Sequence, residues 1–132
     1  MDFNELTEMV KSDFELNEQH LQTKIREIPN LHNKYLRYFF KEKTKLITLE
    51  NSLNLLFREK WYYYMNDFDY KVEKKHLTWH VESDPDYSKL LVQFNKQKHL
   101  VDFFEQTLKK CNTLSFDIKN LIDYKKFMVG EN

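Results

Sequence analysis

Near the middle of the chain, Arg58, Glu59, Lys60, Trp61, Tyr62, Tyr63 and Tyr64 place two cations among four aromatic rings. Guanidinium and ammonium groups neutralise phosphates, and flat rings stack on bases, so this run offers the chemistry of holding a nucleic-acid strand. The same rings also serve as core or interface packing. If the run is helical, successive residues lie about 100° apart, which sets Arg58 and Lys60 about 200° apart. They cannot both point squarely at one strand unless the helix ends or unwinds here. A second basic feature, Lys34, Arg37, Lys41 and Lys45, recurs at spacings of three, four and four. That is a helical stripe, either a solvated face or a track for phosphates.

Equipment for bond breaking is not visible. His76 and His80 are four residues apart near Glu82, but no Glu follows the first His as in a zincin and no Cys pair exists. Cys111 shares its segment with His99 but has no orienting partner, which argues against a nucleophile. With one glycine in the chain there is no phosphate-cradling loop. The expectation is a protein without catalytic residues, bound metal or cofactor, and not an enzyme.

What must position the basic-aromatic run is a long helix. Leu21, Ile25, Ile28, His32, Tyr35, Phe39, Glu42, Leu46, Leu49, Leu53, Leu56, Lys60 and Tyr63 step at alternating spacings of four and three, the register of a coiled-coil seam. His32, Glu42 and Lys60 on that seam either pair with buried partners and set register or stay exposed where it is uncovered. Asn17 is a fair N-cap, and Pro29 predicts a kink or a break capped by Asn30, with the heptad register continuing across it in favour of a kink. Before it, residues 1–16 hold a short acidic amphipathic helix with Phe3, Leu6, Met9 and Val10 on one side. After the long helix, 17–65, the period fades through a connector, 66–84, where Leu77, Trp79 and Val81 alternate as a short strand would. Ser83, Asp84 and Pro85 mark a restart, giving a helix over 85–111. Asn112 and Thr113 predict an interruption before a C-terminal helix, 113–128, which Gly130 ends.

The expected fold is therefore all-α: one helical domain, 1–132, built on a long coiled-coil-like helix with a short N-terminal helix and two C-terminal helices. Few Gly and Pro and 32% charged residues agree with this and argue against sandwiches and barrels. A single cysteine fits a reducing, intracellular compartment, and no segment reads as a leader or membrane span, so a soluble cytoplasmic protein is expected. Net charge is zero, yet Lys and Arg outnumber Asp and Glu by 7 to 3 over residues 30–60, while residues 1–29 carry 3 against 7. A symmetric oligomer would repeat that basic patch in every subunit. So little chain remains to cover the seam that the C-terminal helices or further copies must do so, and Ile118, Leu121 and Ile122 are expected at a subunit interface.

The whole chain resembles the UvsY family, the recombination mediators of T-even-like bacteriophages. The likeness runs through Leu31, Lys34 and Leu36, then Arg58, Lys60, Tyr63 and Tyr64, then Glu73, Lys74, Asp84 and Asp86. It continues with Leu100, Asp102 and Phe103 and closes with Phe116, Ile118, Lys119, Asp123 and Phe127. The resemblance implies a non-enzymatic protein of the host-cell cytoplasm that binds single-stranded DNA as a ring-like homo-oligomer, a hexamer or heptamer. It further implies weakening the hold of the single-strand-binding protein and loading a RecA-like recombinase. The family's DNA-contacting basic pair falls on Arg58 and Lys60, with the order of Lys and Arg reversed. Trp61, Tyr64, Lys41 and Lys45 are expected to join that pair. The family's assembly region maps to about Ser115–Phe127, naming Phe116, Ile118, Leu121 and Ile122. Pro29, Trp61 and Tyr62 depart from the family pattern. A coiled-coil scaffold or adaptor that binds only protein is the alternative.

Overall fold

The computed structural model describes residues 1–130, and every regular element among them is helical. Helix α1 spans Phe3–Phe14, α2 Leu21–Tyr62, α3 Lys74–Ser83 and α4 Pro85–Met128. A 3₁₀ turn, Glu18–His20, leads into α2, and a π-helical turn, Tyr63–Asp67, follows it. The chain divides into two compact units, one formed by residues 1–39 and the chain from Phe103 onward, the other by residues 40–102.

In the first unit the Asp2 carboxylate caps α1 by accepting the Glu5 N–H at 2.8 Å. Leu6, Val10 and Phe14, four residues apart, are its buried stripe. Asn17 caps the next helical start, accepting the Gln19 N–H at 3.0 Å. Tyr35 is wholly buried, with Phe14 and Phe104 at ring distances of 5.9 and 6.4 Å. Its hydroxyl donates to the Asp13 carboxylate at 2.7 Å, and the Lys34 ammonium donates to the same oxygen at 2.6 Å. The Lys24 ammonium takes the Asp13 carbonyl, so this one residue fastens α1 to α2. Burial alone would raise the Asp13 carboxyl, but the hydrogen bonds from Lys34 and Tyr35 and the Lys34 and Lys24 charges hold it below its ordinary value. From α4 this unit buries Phe104, Thr107, Cys111, Leu114 and Ile118, at spacings of three and four.

In the second unit α2 contributes Leu46 and Leu53, α3 Leu77 and Val81, and α4 Val101 to the buried set. Gln97 donates both to the Glu42 carbonyl, at 2.9 Å, and to its carboxylate, at 2.7 Å. Glu42 on the apolar seam is thus a pairing group, one of the two roles open to it.

Two expectations change, and of the two alternatives at Pro29 one falls away. Residues 77–81 are helical, not a strand. Leu77 and Val81 are one helical turn apart and both fully buried, while Trp79 between them is exposed, so the alternation does not mark a two-faced strand. The connector thereby shortens to residues 68–73. The interruption at Asn112 and Thr113 does not occur either: α4 continues because Cys111, Leu114 and Ile118 extend one buried stripe across it. The Thr113 hydroxyl is satisfied by the Lys110 carbonyl at 3.1 Å, and packing overrides a weak local propensity. Finally, Pro29 does not end α2; it is exposed, where water can serve the Ile25 carbonyl that has lost its N–H donor.

Candidate nucleic-acid interface

The end of α2 delivers Arg58, Lys60 and Trp61, and the π-helical turn after it delivers Tyr63 and Tyr64. A π turn alters the angular step between residues and recurs at functional sites. Here it lets Tyr64 reach across to α4. The Tyr64 hydroxyl donates to the Asp84 carboxylate at 2.7 Å, and the other oxygen of that carboxylate accepts the backbone N–H groups of Asp86, at 2.9 Å, and Tyr87, at 3.3 Å. Asp84 is therefore the cap of α4 that Ser83–Asp84–Pro85 predicts, with Pro85 at the first helical position.

Lys60 joins the same cluster. Its ammonium lies 2.9 Å from the Asp86 carboxylate and 3.4 Å from that of Asp84, and its side chain is 20% exposed. The Asp86 hydrogen bond raises the Lys60 ammonium above its usual range, against the opposing effect of burial, with Asp84 adding to the rise. Burial works to raise the Asp84 carboxyl, but Tyr64, the two backbone N–H groups and Lys60 together hold it low. The Tyr64 hydroxyl, bonded to that carboxylate and partly buried, is pushed up to about 12. Lys60 is therefore occupied by two carboxylates and does not stand open to a phosphate, whereas Arg58 is exposed and forms no ion pair with a described residue. Their opposite directions on the helix give them opposite surroundings.

The remaining expected contacts separate in the same way. Trp61 is half-buried, packed on Phe57 at 5.9 Å, with Phe57 in turn 5.8 Å from Tyr87. Tyr64 is half-buried against Phe68 at 5.0 Å and His80 at 5.5 Å. Lys41 and Lys45 are exposed, the latter 3.5 Å from Glu42, while Lys34 is drawn out of the basic stripe by Asp13. Tyr62, beside Arg58 on the outer face, is exposed. Sequence reasoning passes over Tyr70, weighs His76 only as a metal ligand and reads Trp79 only as a strand residue, yet all three extend the Tyr63, Tyr64, Phe68 and His80 cluster. The signal that finds Trp79 is the i, i+4 pair Leu77 and Val81, which turns it outward once α3 is read as a helix.

At the far end of α4, Ile118 is wholly buried inside its own protomer, which corrects its expected place at a subunit interface. It continues the Cys111 and Leu114 stripe and has no surface to offer. Leu121 and Ile122 are half-buried and line a groove with Leu21 and Thr23. Phe116 is 67% exposed, and Tyr124, Phe127 and Met128 are exposed with it. Among the described residues no group of three or more His, Cys, Asp or Glu is placed to hold a metal ion, and no helix is long and apolar enough to cross a membrane.

The family model described as "Recombination, repair and ssDNA binding protein UvsY" matches residues 9–131. No curated protein matches in sequence. Among solved structures, the fold is similar to crystal structures of the bacteriophage T4 recombination mediator protein UvsY. One, in lattice type IV, aligns with a TM-score of 0.88 at 21% identity, covering 97% of this chain and 99% of that one. A second, in lattice type II, aligns with a TM-score of 0.87 at 22% identity over 98% of each chain. At this identity the likeness concerns the fold.

Proposed function

The chain belongs to the UvsY family of recombination, repair and single-stranded-DNA-binding proteins, and from that premise we propose that it acts by binding single-stranded DNA as a recombination mediator. It works in phage recombination, replication and repair in the host cytoplasm. There it weakens the hold of a single-strand-binding protein, helps a RecA-like recombinase onto the strand, and catalyses no reaction itself. The family match over nearly the whole chain carries this reading. The exposed Arg58, with Lys41 and Lys45 on the same helix, supplies the cations it needs.

A protein of zero net charge has no long-range pull on a polyanion, so binding rests on local patches. A homo-oligomeric ring of six or seven copies presents such a patch many times, and effective concentration turns weak single contacts into a strong hold. Wrapping a strand over several copies also draws it off the path another binding protein prefers. Attachment through phosphates and base faces makes binding sequence-tolerant and salt-dependent.

Fluorescence anisotropy of a labelled oligonucleotide against salt tests the reading. Arg58→Ala is expected to weaken binding and to lower the magnitude of the salt slope, by about 0.7 for each phosphate that is no longer neutralised. Lys60→Ala weakens binding chiefly through the loss of its anchoring to Asp84 and Asp86. No retention of the oligonucleotide by the unaltered protein at low salt, with a stable oligomer, would instead favour a protein-only scaffold.

A further inference from the structure

Trp79 and Tyr70 are 67% and 76% exposed, costly positions for large rings unless something covers them. Neither is a loose side chain. Trp79 stands on α3 opposite Leu77 and Val81, both fully buried, so the helix holds it outward. Its ring meets His80 at 5.7 Å, His80 meets Phe68 at 5.9 Å, and Phe68 meets Tyr70 at 5.9 Å and Tyr63 at 6.0 Å. The inner members, His80, Phe68 and Tyr64, are half-buried and form a fixed layer beneath the exposed ones. Among the described residues no ring lies flat on the indole: His80 meets it at 62° and His76 at 69°. Phe68 meets Tyr70 at 61°.

We propose that Trp79, Tyr70 and Tyr63 form a base-stacking platform for a single nucleic-acid strand, separate from the cations at the end of α2. This rests on the single-stranded-DNA reading above and adds a site to it. The exposed large apolar residues of residues 63–80 are Tyr63, Met65, Tyr70 and Trp79, three aromatics of four, with no branched aliphatic side chain. Flat π-faces suit bases, which stack on aromatic rings whatever the sequence. Lysines lie close to the rings, with the Lys60 ammonium of α2 5.8 Å from the Tyr63 ring centre and Lys75 one turn before Trp79 on α3. Yet within residues 63–80 Asp67, Asp69 and Glu73 balance Lys71, Lys74 and Lys75, leaving no net positive charge there. The platform therefore takes the strand by its bases and leaves the phosphates to Arg58 and the lysines of α2. The consequence is an attachment that adds affinity without adding salt dependence.

The chain has two tryptophans, Trp61 and Trp79, so Trp61→Phe leaves the platform ring as the only indole reporter. Titrating this full-length variant with oligo(dT) is expected to quench Trp79 emission saturably. Trp79→Ala, whose site is exposed, is expected to bind roughly ten-fold more weakly with an unchanged salt slope, and sedimentation should show an unchanged oligomer. Anisotropy that reports a bound strand while Trp79 emission stays constant would overturn the platform and leave the DNA reading intact. A Trp79→Ala salt slope that falls, or an oligomer that dissociates, would also overturn it, marking an electrostatic contact or an interface between copies. An unaltered protein that retains no oligonucleotide at low salt would overturn both.

Discussion

Asp84 shows how a single buried carboxylate can set the roles of its neighbours. At 5% exposure it accepts from Tyr64, from two backbone N–H groups and, through an ion pair, from Lys60. Tyr64 and Lys60, whose residue types invite DNA contact, are thereby engaged at the start of α4. Because the Asp84 carboxyl is held below its unfolded value, the unfolded chain binds more protons as acid is added. Its contribution is thus present above the unfolded value near 3.8 and disappears as pH falls through the folded one. Tyr64 and Lys60 run the other way: both are raised, so their contribution is present below the unfolded values of 10.0 and 10.5 and fades above them. Asp84→Asn keeps an acceptor for the helix cap but removes the charge. It is expected to cost about 1–3 kcal/mol at pH 7 and to flatten the loss of stability between about pH 5 and 2 without abolishing it, since Asp13 remains. Urea unfolding midpoints across that range measure both effects, and an acid limb as steep as that of the unaltered protein would refute the assignment.

At the scale of elements, legibility follows how many independent signals agree. The start of α4 is plain in the sequence because a capping residue, a proline and a resumed apolar period coincide at Asp84, Pro85 and Tyr87. The long α2 is plain because its seam repeats over many turns, and the structure gives the seam's polar members Glu42 and Lys60 partners in Gln97, Asp84 and Asp86. Short segments are less secure. Three apolar residues at 77, 79 and 81 fit a strand as easily as a helix, and only the packing of Leu77 and Val81 decides. Asn112 and Thr113 weigh as breakers by residue type, although Leu114 and Ile118 already continue the stripe of Cys111. The π turn, which aims Tyr64, leaves no mark in the sequence. Pro29 supplies a test at this scale: it sits exposed within α2 and denies the Ile25 carbonyl its usual donor. Pro29→Ala is expected to stabilise the protein by about 1–3 kcal/mol, read as a higher denaturation midpoint. A lower midpoint would mean that the local geometry imposed by the proline is needed for packing in the first unit.

For the whole molecule, the question is how a chain with balanced charge can hold a polyanion, and the answer proposed above depends on repetition. Repetition needs a surface for assembly, and Ile118 cannot supply one because it is spent inside the protomer. Phe116, Tyr124 and Phe127 fall at i, i+8 and i+11 on α4, which places them within one stripe of the helix, and all three are exposed. This stripe is the better candidate for the assembly that the family resemblance assigns to the same stretch. Serine replacements test it without adding negative charge that would repel DNA by itself. Phe116→Ser with Phe127→Ser is expected to give a folded monomer by sedimentation and native mass spectrometry. Its oligonucleotide affinity should fall by about 10²- to 10⁴-fold, as the loss of multivalency requires, though Arg58 and Trp79 are untouched. Ile118→Ser should instead destabilise the protomer by about 2–5 kcal/mol, because it empties part of a packed core. An intact oligomer in the double variant would move assembly to another surface. A monomer that binds as tightly as the oligomer would show that one copy holds the strand alone, and the argument from repeated weak patches would fall.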